Sequence, residues 1–271
     1  MGTQTPPNWS ETPFVTVQLM CHSGDVHLLP RAVASVLDQD LDHTQIELQL
    51  VFDGNPTEKE NAQIDDAILG HDFAMANLWH DKKNGYYCVP RQRCTPMING
   101  LYVAFMDCDN EMAPGHLSGL LAAIREAHPT QGWPHFVYSR REYVSDMKEG
   151  EPPVLGPSDL TPWEQERVSK LMLTPTNNFV DTGDMLIGKS TLFELAEMSG
   201  CIWNRQCRRF GDWDLVMRMA SVGFRGRAVD QVTNIYHWTG DNLQLTRAVS
   251  EVSFIPESVF EKLKAEGKMK A

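Results

Sequence analysis

What this chain of 271 residues lacks narrows its function before any motif is read. No apolar run comes near the roughly 20 residues that cross a bilayer, which speaks against a helical membrane segment. The polar, proline-containing start, Met1 to Glu11, lacks the basic-then-apolar layout of a signal peptide, so a cytoplasmic location is the expectation. Positive charge is scarce. With 24 Lys and Arg against 36 Asp and Glu, the formal net charge is −12, and general nucleic-acid binding, which draws on clustered cations, is disfavoured. The local exception is Arg205, Arg208 and Arg209, with Arg218, Arg225 and Arg227 soon after. That stretch reads either as a solvated face with ion pairs or as an attractor of a polyanion such as a diphosphate or an anionic acceptor.

Metal-finger spacing is missing too. Cys88 and Cys94, like Cys201 and Cys207, are separated by five residues, where structural zinc sites use two to four. The six cysteines are therefore expected to be buried free thiols rather than zinc ligands or disulfides. No G-x-G-x-x-G follows the first apolar run, where Cys21-His22-Ser23-Gly24-Asp25 stands instead, so dinucleotide-dependent redox chemistry is disfavoured. No internal repeat is visible.

What is present is an alternation of strands and helices. Hydrophobic residues make up 42% and charged residues 22%, ordinary for a globular chain. Phe14 to Met20 reads as a buried strand, broken at Ser23-Gly24-Asp25. Leu28, Leu29, Ala32, Val33, Val36 and Leu37 then recur at helical spacing, which predicts a helix over 25–38 with Asp25 as its N-cap. A strand from Ile46 to Phe52 stops at the turn Asp53-Gly54-Asn55-Pro56, and a helix from Thr57 to Leu69 leads to a strand near Ala76 to Trp79. Leu101 to Met106 is a further strand, followed by a helix over 116–127 and a strand at Phe136 to Ser139. Residues 147–161 read as a surface loop, Leu186 and Ile187 as a short strand, and Ser190 to Met198 as a helix. A helix over 214–221, with Gly223 to end it, precedes an extended Val229 to Trp238, and Lys262 to Lys270 reads as a frayed helix. This order predicts an α/β fold with a mainly parallel central sheet flanked by helices. Ligands of such sheets sit at the carboxyl ends of the strands, where Asp53 and Asp107 to Asp109 fall.

In Asp107-Cys108-Asp109 two carboxylates flank one residue directly after a buried strand. Paired carboxylates repel unless a cation lies between them, and a hard divalent ion with oxygen ligands suits that geometry. Such a pair is common by chance, and an N-cap beside an exposed acid is the plainer explanation when it stands alone. It does not stand alone. The stretch Arg31-Ala32-Val33-Ala34-Ser35-Val36-Leu37-Asp38-Gln39 matches the helix R-A-I-x-S-V-L-x-Q, and Phe52-Asp53-Gly54-Asn55 stands where a D-D-G-S turn would be. Asn84-Gly85 and Pro90-Arg91-Gln92 stand for N-x-G and A-R-N, Gly100 to Asp109 for G-E-Y-I-A-F-L-D-x-D, and Gly211-Asp212-Trp213-Asp214-Leu215-Val216-Met217-Arg218 for E-D-W-D-L-x-x-R.

Over residues 14–245 the chain thus resembles the family 2 glycosyltransferases of the GT-A fold. The resemblance implies a nucleotide-diphosphate-sugar transferase domain over 13–245. Residues 13–140 would form its nucleotide-sugar-binding half and 141–245 an acceptor-side half or lobe, between a flexible start (1–12) and a C-terminal helical tail (246–271). It implies transfer of a sugar, from a UDP-sugar first, to an acceptor hydroxyl, metal-dependent through Mn2+ or Mg2+ and inverting. The acceptor stays open among a glycan, a lipid-linked sugar, a protein and a modified nucleic acid.

Carried over by position, Asp53 would hydrogen-bond the donor's base, with the backbone around Cys21 and His22 lining the same pocket. Arg91 would lie near the ribose or phosphates, Asp107 near the ribose and metal, and Asp109 on the metal itself. Asp212 would be the general base, its proton affinity raised by repulsion from Asp214. His237, with Trp238 aligning nearly as well, would add a metal or phosphate contact. Trp213 is a candidate platform on the donor side, with core packing as the alternative. Phe52, Gly211 and Gln92 depart from the family pattern. They keep open a binding module without catalysis, and nucleotidyl transfer is a third possibility.

Overall fold

The computed structural model describes residues 14–81, 87–131, 134–145, 157–163, 179–207 and 211–238. The expectations for the chain start, the loop centred on 150, Asn84-Gly85 and the tail beyond 238 lie outside them. Its framework is one sheet. Strand β1 (Val15–His22) runs parallel to β2 (Ile46–Asp53) on one side and β4 (Tyr102–Asp107) on the other, and β3 (Met75–Asp81) extends the parallel set beyond β2. Antiparallel β7 (Met185–Gly188) joins β4 to β6 (Phe136–Ser145), which pairs in parallel with β8 (Gly226–Trp238). A two-residue strand, β5 (Glu111–Met112), closes the order β3-β2-β1-β4-β7-β6-β8-β5.

The two faces of β1 and β2 are built differently. Val15, Val17, Leu19, Leu48 and Leu50 enter an apolar core with helices α1 (Leu29–Leu37), α2 (Glu58–Ile68) and α4 (His116–Gln131). On the opposite face Thr16 donates to Glu47 at 2.5 Å, and Gln18 donates to Gln49 at 2.7 Å and to Thr95 at 3.2 Å. Buried polar side chains are tolerable there because each finds a partner. Thr95 directly follows a short helix, α3 (Cys88–Cys94), which the apolar periodicity of the sequence does not announce. The chain then passes so close to β1 that a Cβ on Gly100 would meet the Thr16 nitrogen at 2.5 Å.

A second core gathers Val103, Phe105, Phe136, Tyr138 and Ile187 against helices α5 (Lys189–Ser199) and α6 (Gly211–Ser221). Helix bounds shift from expectation for local reasons. The segment after Asp25 is a 3-10 turn over Val26–Leu28, and α1 begins at Leu29 with Pro30 in its first turn, where a missing N–H costs nothing. Asp25 caps nothing with its side chain. Its carboxylate turns back to His22 Nε2 at 2.7 Å. Thr57 forms a full capping box with Glu60. Helix α6 starts at Gly211, three residues before its predicted start, so Asp212 and Asp214 lie in its first turn, where acids favour the positive end of the helix dipole. Gly223, with φ 84°, ends it as expected.

Candidate active site at the strand ends

The carboxyl ends of β1, β2 and β4 place the acidic motifs side by side. Register sets His22 beside Asp53 and Met20 beside Asp107. The amide of Cys108 donates to the Met20 carbonyl at 2.8 Å, which ties the Asp107-Cys108-Asp109 turn to the end of β1. Asp53 is buried at the rim, and Gly54 beyond it turns at φ 126°, a backbone state open to glycine. The side chain of Cys21 packs in the first core. His22 is 57% exposed at its side chain, with Nδ1 accepting from the Gly24 amide at 3.0 Å. Its hydrogen bond to Asp25 raises its pKa against the effect of burial, helped by Asp25, Asp53 and Asp109.

Asp107 and Asp109 differ in how they are compensated. Arg91 donates from Nη2 to Asp107 Oδ1 at 2.7 Å. The guanidinium lies over the rings of Tyr87 (5.0 Å), Trp203 (5.2 Å) and Phe105 (5.5 Å). Arg91, expected near the ribose or phosphates, is 0% exposed at its side chain and stands behind Asp107, which it holds. Burial raises the Asp107 pKa, Arg91 opposes that, and Asp181 and Asp25 add to it. Among the described residues no such cation holds the Asp109 carboxylate. Its Oδ1 is buried with no hydrogen-bond partner among the described residues, and burial, then Asp107 and Asp25, push its pKa up to about 7.

An orphaned carboxylate oxygen pushed toward its neutral form is the chemistry of an incomplete cation site. Among the described residues no three His, Cys, Asp or Glu side chains already form a metal-holding group. His237, the expected metal or phosphate contact, is engaged with Glu111 and Asn110. Its Nε2 is 2.6 Å from Glu111 Oε1, and its amide donates to Asn110 Oδ1 at 3.0 Å. Glu111 is also 3.5 Å from Arg31 Nε, and Arg31 donates to the Asp109 carbonyl at 2.7 Å. His237 therefore braces the turn that carries Asp109. The side chain of Trp238 lies outside the described residues.

Asp212 in the first turn of α6 is 5% exposed, with Tyr87 Oη 3.5 Å from its Oδ1 and 3.0 Å from its amide. Asp214, the expected neighbour of the base, is clamped by Arg218 Nε at 2.7 Å and by Asn204 at 3.3 Å. Arg218 also holds the carbonyls of Cys201 and Ile202, so the pair fastens α6 to the segment after α5. Trp213, 1% exposed, packs edge-on to Phe179 in the second core and offers no open face. Of the two places expected for it, this is core packing.

The structure adds residues that the motifs did not single out. Arg141 on β6 pairs with Asp181 and Asp184, and Asn234 donates to Asp184 at 2.8 Å. Burial, opposed by Arg141, raises the Asp184 pKa to about 6. This group stands between the two sides, since Asp181 bears on Asp107 and Asp109 while Arg141 feels Asp212. No periodicity or motif spacing marks it, because its members come from β6, the turn before β7, and β8. Tyr87 was passed over because it sits in a stretch without apolar rhythm.

Comparison with known proteins agrees with this geometry. The profile of the family described as Glycosyl transferase family 2 matches residues 20–194. The provisionally assigned colanic acid biosynthesis glycosyl transferase WcaA of Escherichia coli (strain K12) is 22% identical over 223 residues, covering 82% of this chain and 72% of that protein. Among solved structures, S. aureus TarS 1-349 in complex with UDP-GlcNAc superposes with a TM-score of 0.60 at 14% identity, covering 87% of this chain and 62% of that one. The longer S. aureus TarS structure superposes at 0.56 and 14%, covering 83% of this chain and 37% of that one. The chain thus spans less than two thirds of either TarS chain. These neighbours are glycosyltransferases of the GT-A type, and the mixed α/β sheet described above is their fold. No helix among the described residues is long and apolar enough to cross a membrane. With its profile covering well over half the chain, the protein belongs to glycosyl transferase family 2.

Proposed function

We propose that this chain moves a sugar from a nucleotide-diphosphate sugar, a UDP-sugar first, to an acceptor hydroxyl with inversion at the anomeric carbon. The observation that carries the reading is the chain of contacts from Asp107 through Arg91 and Tyr87 to Asp212, which links the acids at the strand ends to a second buried acid on α6. Asp53 and the main chain of Cys21 and His22 would hold the nucleoside, while Asp107, fixed by Arg91, would face the ribose. Asp109 and Asp107 would hold Mn2+ or Mg2+, with the donor's diphosphate completing the ligand set. When bound, such an ion supplies charge neutralisation to the leaving diphosphate. Asp212 takes the proton of the acceptor hydroxyl as that oxygen attacks, and the protein's own contribution is orientation.

The complexes of S. aureus TarS with UDP and with UDP-GlcNAc support a uridine donor. The free state of all six cysteines supports a reducing, cytoplasmic setting. The division at residue 140 into donor and acceptor halves belongs to the same proposal.

The test is a thermal-shift screen of nucleotide sugars with and without Mn2+, followed by release of UDP from the selected donor. A selective, Mn2+-dependent shift with slow donor hydrolysis supports the reading; equal response to every nucleotide, with no turnover, sinks it. Replacing Asp212 with Asn should lower turnover by about a thousandfold while leaving the UDP-induced shift in place. Wild-type turnover in that variant would remove the base assignment. Pyrophosphate release from a nucleoside triphosphate would favour nucleotidyl transfer instead. A binding module without catalysis gains nothing from Gly211, whose lack of a side chain has a packing cause.

A further inference from the structure

At position 211 the family pattern places Glu directly before the catalytic Asp, and here stands Gly. A Cβ on Gly211 would collide with Cys88 Sγ and stand 2.9 Å from Tyr87 Oη. The space that a side chain at 211 would need is therefore filled from the other side of the cleft, by the two residues that open α3. One of them is polar, and it touches the acid beside that glycine. Tyr87 Oη accepts from the Asp212 amide at 3.0 Å. A phenol oxygen engaged in that way still has its own proton to place, and Asp212 Oδ1 at 3.5 Å is the carboxylate that faces it. At its other end, the Tyr87 ring lies under the Arg91 guanidinium at 5.0 Å and edge-on to Trp203 at 6.1 Å.

Resting on the proposed function, we infer that Tyr87 is a positioning residue for the Asp212 base, taking the place of the missing acid at 211 and joining that base to the Arg91–Asp107 pair on the donor side. The chain of contacts is continuous. Asp107 is held by Arg91, Arg91 lies on the Tyr87 ring, and Tyr87 holds both the main chain and the carboxylate of Asp212. Tyr87 thus does two things for the reaction. It fixes the rotamer of a carboxylate at the mouth of a helix, and it donates to the charged form, which keeps the base ionised in a buried setting. Among the described residues, Arg141 from β6 and the thiol of Cys88 also feel the charge of Asp212. Of these Arg141 is committed to Asp181 and Asp184, and burial raises the Cys88 thiol well above its ordinary range, so it stays neutral.

The experiment compares the unaltered chain with Tyr87→Phe and Asp212→Asn in Mn2+-dependent hydrolysis of UDP-GlcNAc, across pH, beside thermal midpoints with and without UDP. Phe keeps the ring that Arg91 and Trp203 pack on, so the fold and the UDP-induced shift should be retained. The expected result for Tyr87→Phe is a fall of about tenfold in kcat, with KM for the donor within about twofold. The acid limb of its kcat profile should move to higher pH, because the carboxylate has lost a donor. A structural role alone would lower the midpoint and leave the position of that limb unchanged. Wild-type kcat and pH profile in Tyr87→Phe, beside an inactive Asp212→Asn, would overturn the role of Tyr87 and leave the proposed function standing. A change confined to KM would overturn it too, assigning Tyr87 to the donor through Arg91. No turnover of UDP-GlcNAc or of other UDP-sugars by the unaltered chain overturns the proposed function, and the role of Tyr87 with it.

Discussion

Buried acids near α6 and at the strand ends are treated in opposite ways. Asp214 in α6 is compensated by Arg218, and Asp181 and Asp184, which stand between α6 and the strand ends, by Arg141, with Asn234 on the remaining oxygen of Asp184. On the strand-end side Asp107 has Arg91, whereas the Asp109 Oδ1 has no partner among the described residues. Desolvating a charge is costly unless it is paired, so an acid left unpaired beside well-paired ones is disfavoured in the empty protein. The difference separates framework from function. Paired acids hold elements together, and the unpaired one is where a cationic partner brings free energy to the protein.

The largest effect should come from breaking a pair on the compensated side. Arg218→Met strands the Asp214 charge in the second core and frees the segment around Cys201. It is expected to cost about 3–5 kcal/mol in a denaturant titration. A loss below about 1 kcal/mol would mean that Asp214 is protonated or solvated and the contrast is false. The opposite sign is expected at Asp109. Asp109→Asn should abolish the Mn2+-dependent UDP shift, yet stabilise the empty protein by about 1 kcal/mol, or a midpoint rise of roughly 2–4 °C near neutral pH. A destabilised variant would show that the Asp109 carboxylate has a partner after all.

The same contrast has a pH form. The folded-state pKa of Asp109, about 7, lies above the ordinary value of 3.8, so between these values the folded protein keeps a proton that the unfolded chain has released. Stability from this group is present at low pH and lost as pH rises toward about 7, and the Asn variant should flatten that slope. Binding runs the other way. Mn2+-dependent donor affinity should climb through neutral pH as the carboxylate ionises, measured by calorimetry at several pH values. The smallest effect lies away from both sides. Thr57→Ala removes the capping box of α2 and should cost about 1 kcal/mol without changing donor hydrolysis, which sets the scale for a purely local loss.

Much of the donor side was legible in the sequence because it is local. A buried parallel strand reads as an apolar run, and the polar residues that follow it necessarily stand at the rim, as Asp53 and Asp107 do. Phe52 reads as a lost acid in the family pattern, and it is a core residue under that rim. The second side was less legible. Asp212 carried a motif, but its neighbour Asp214 looked like a second functional acid until Arg218, one helical turn on, was seen to claim it. Trp213 and Arg91 carried motifs as well, and the side chains of both are fully buried. Helix α3 escaped notice because one of its faces meets a polar sheet face, through Thr95, Gln18 and Gln49, and leaves no apolar rhythm to read.

By itself the sequence determined the α/β order, the strand ends that carry Asp53, Asp107 and Asp109, and the family, since each depends on residues close together in the chain. Only the tertiary structure decided which acids are charge-paired, that His237 braces Glu111 rather than joining the aspartates, and that Tyr87 fills the space beside Gly211. Those outcomes depend on partners up to 127 residues apart in the chain, as His237 is from Asn110. The charge state of a buried group is set by what the fold brings within hydrogen-bond reach, and local pattern carries no record of that.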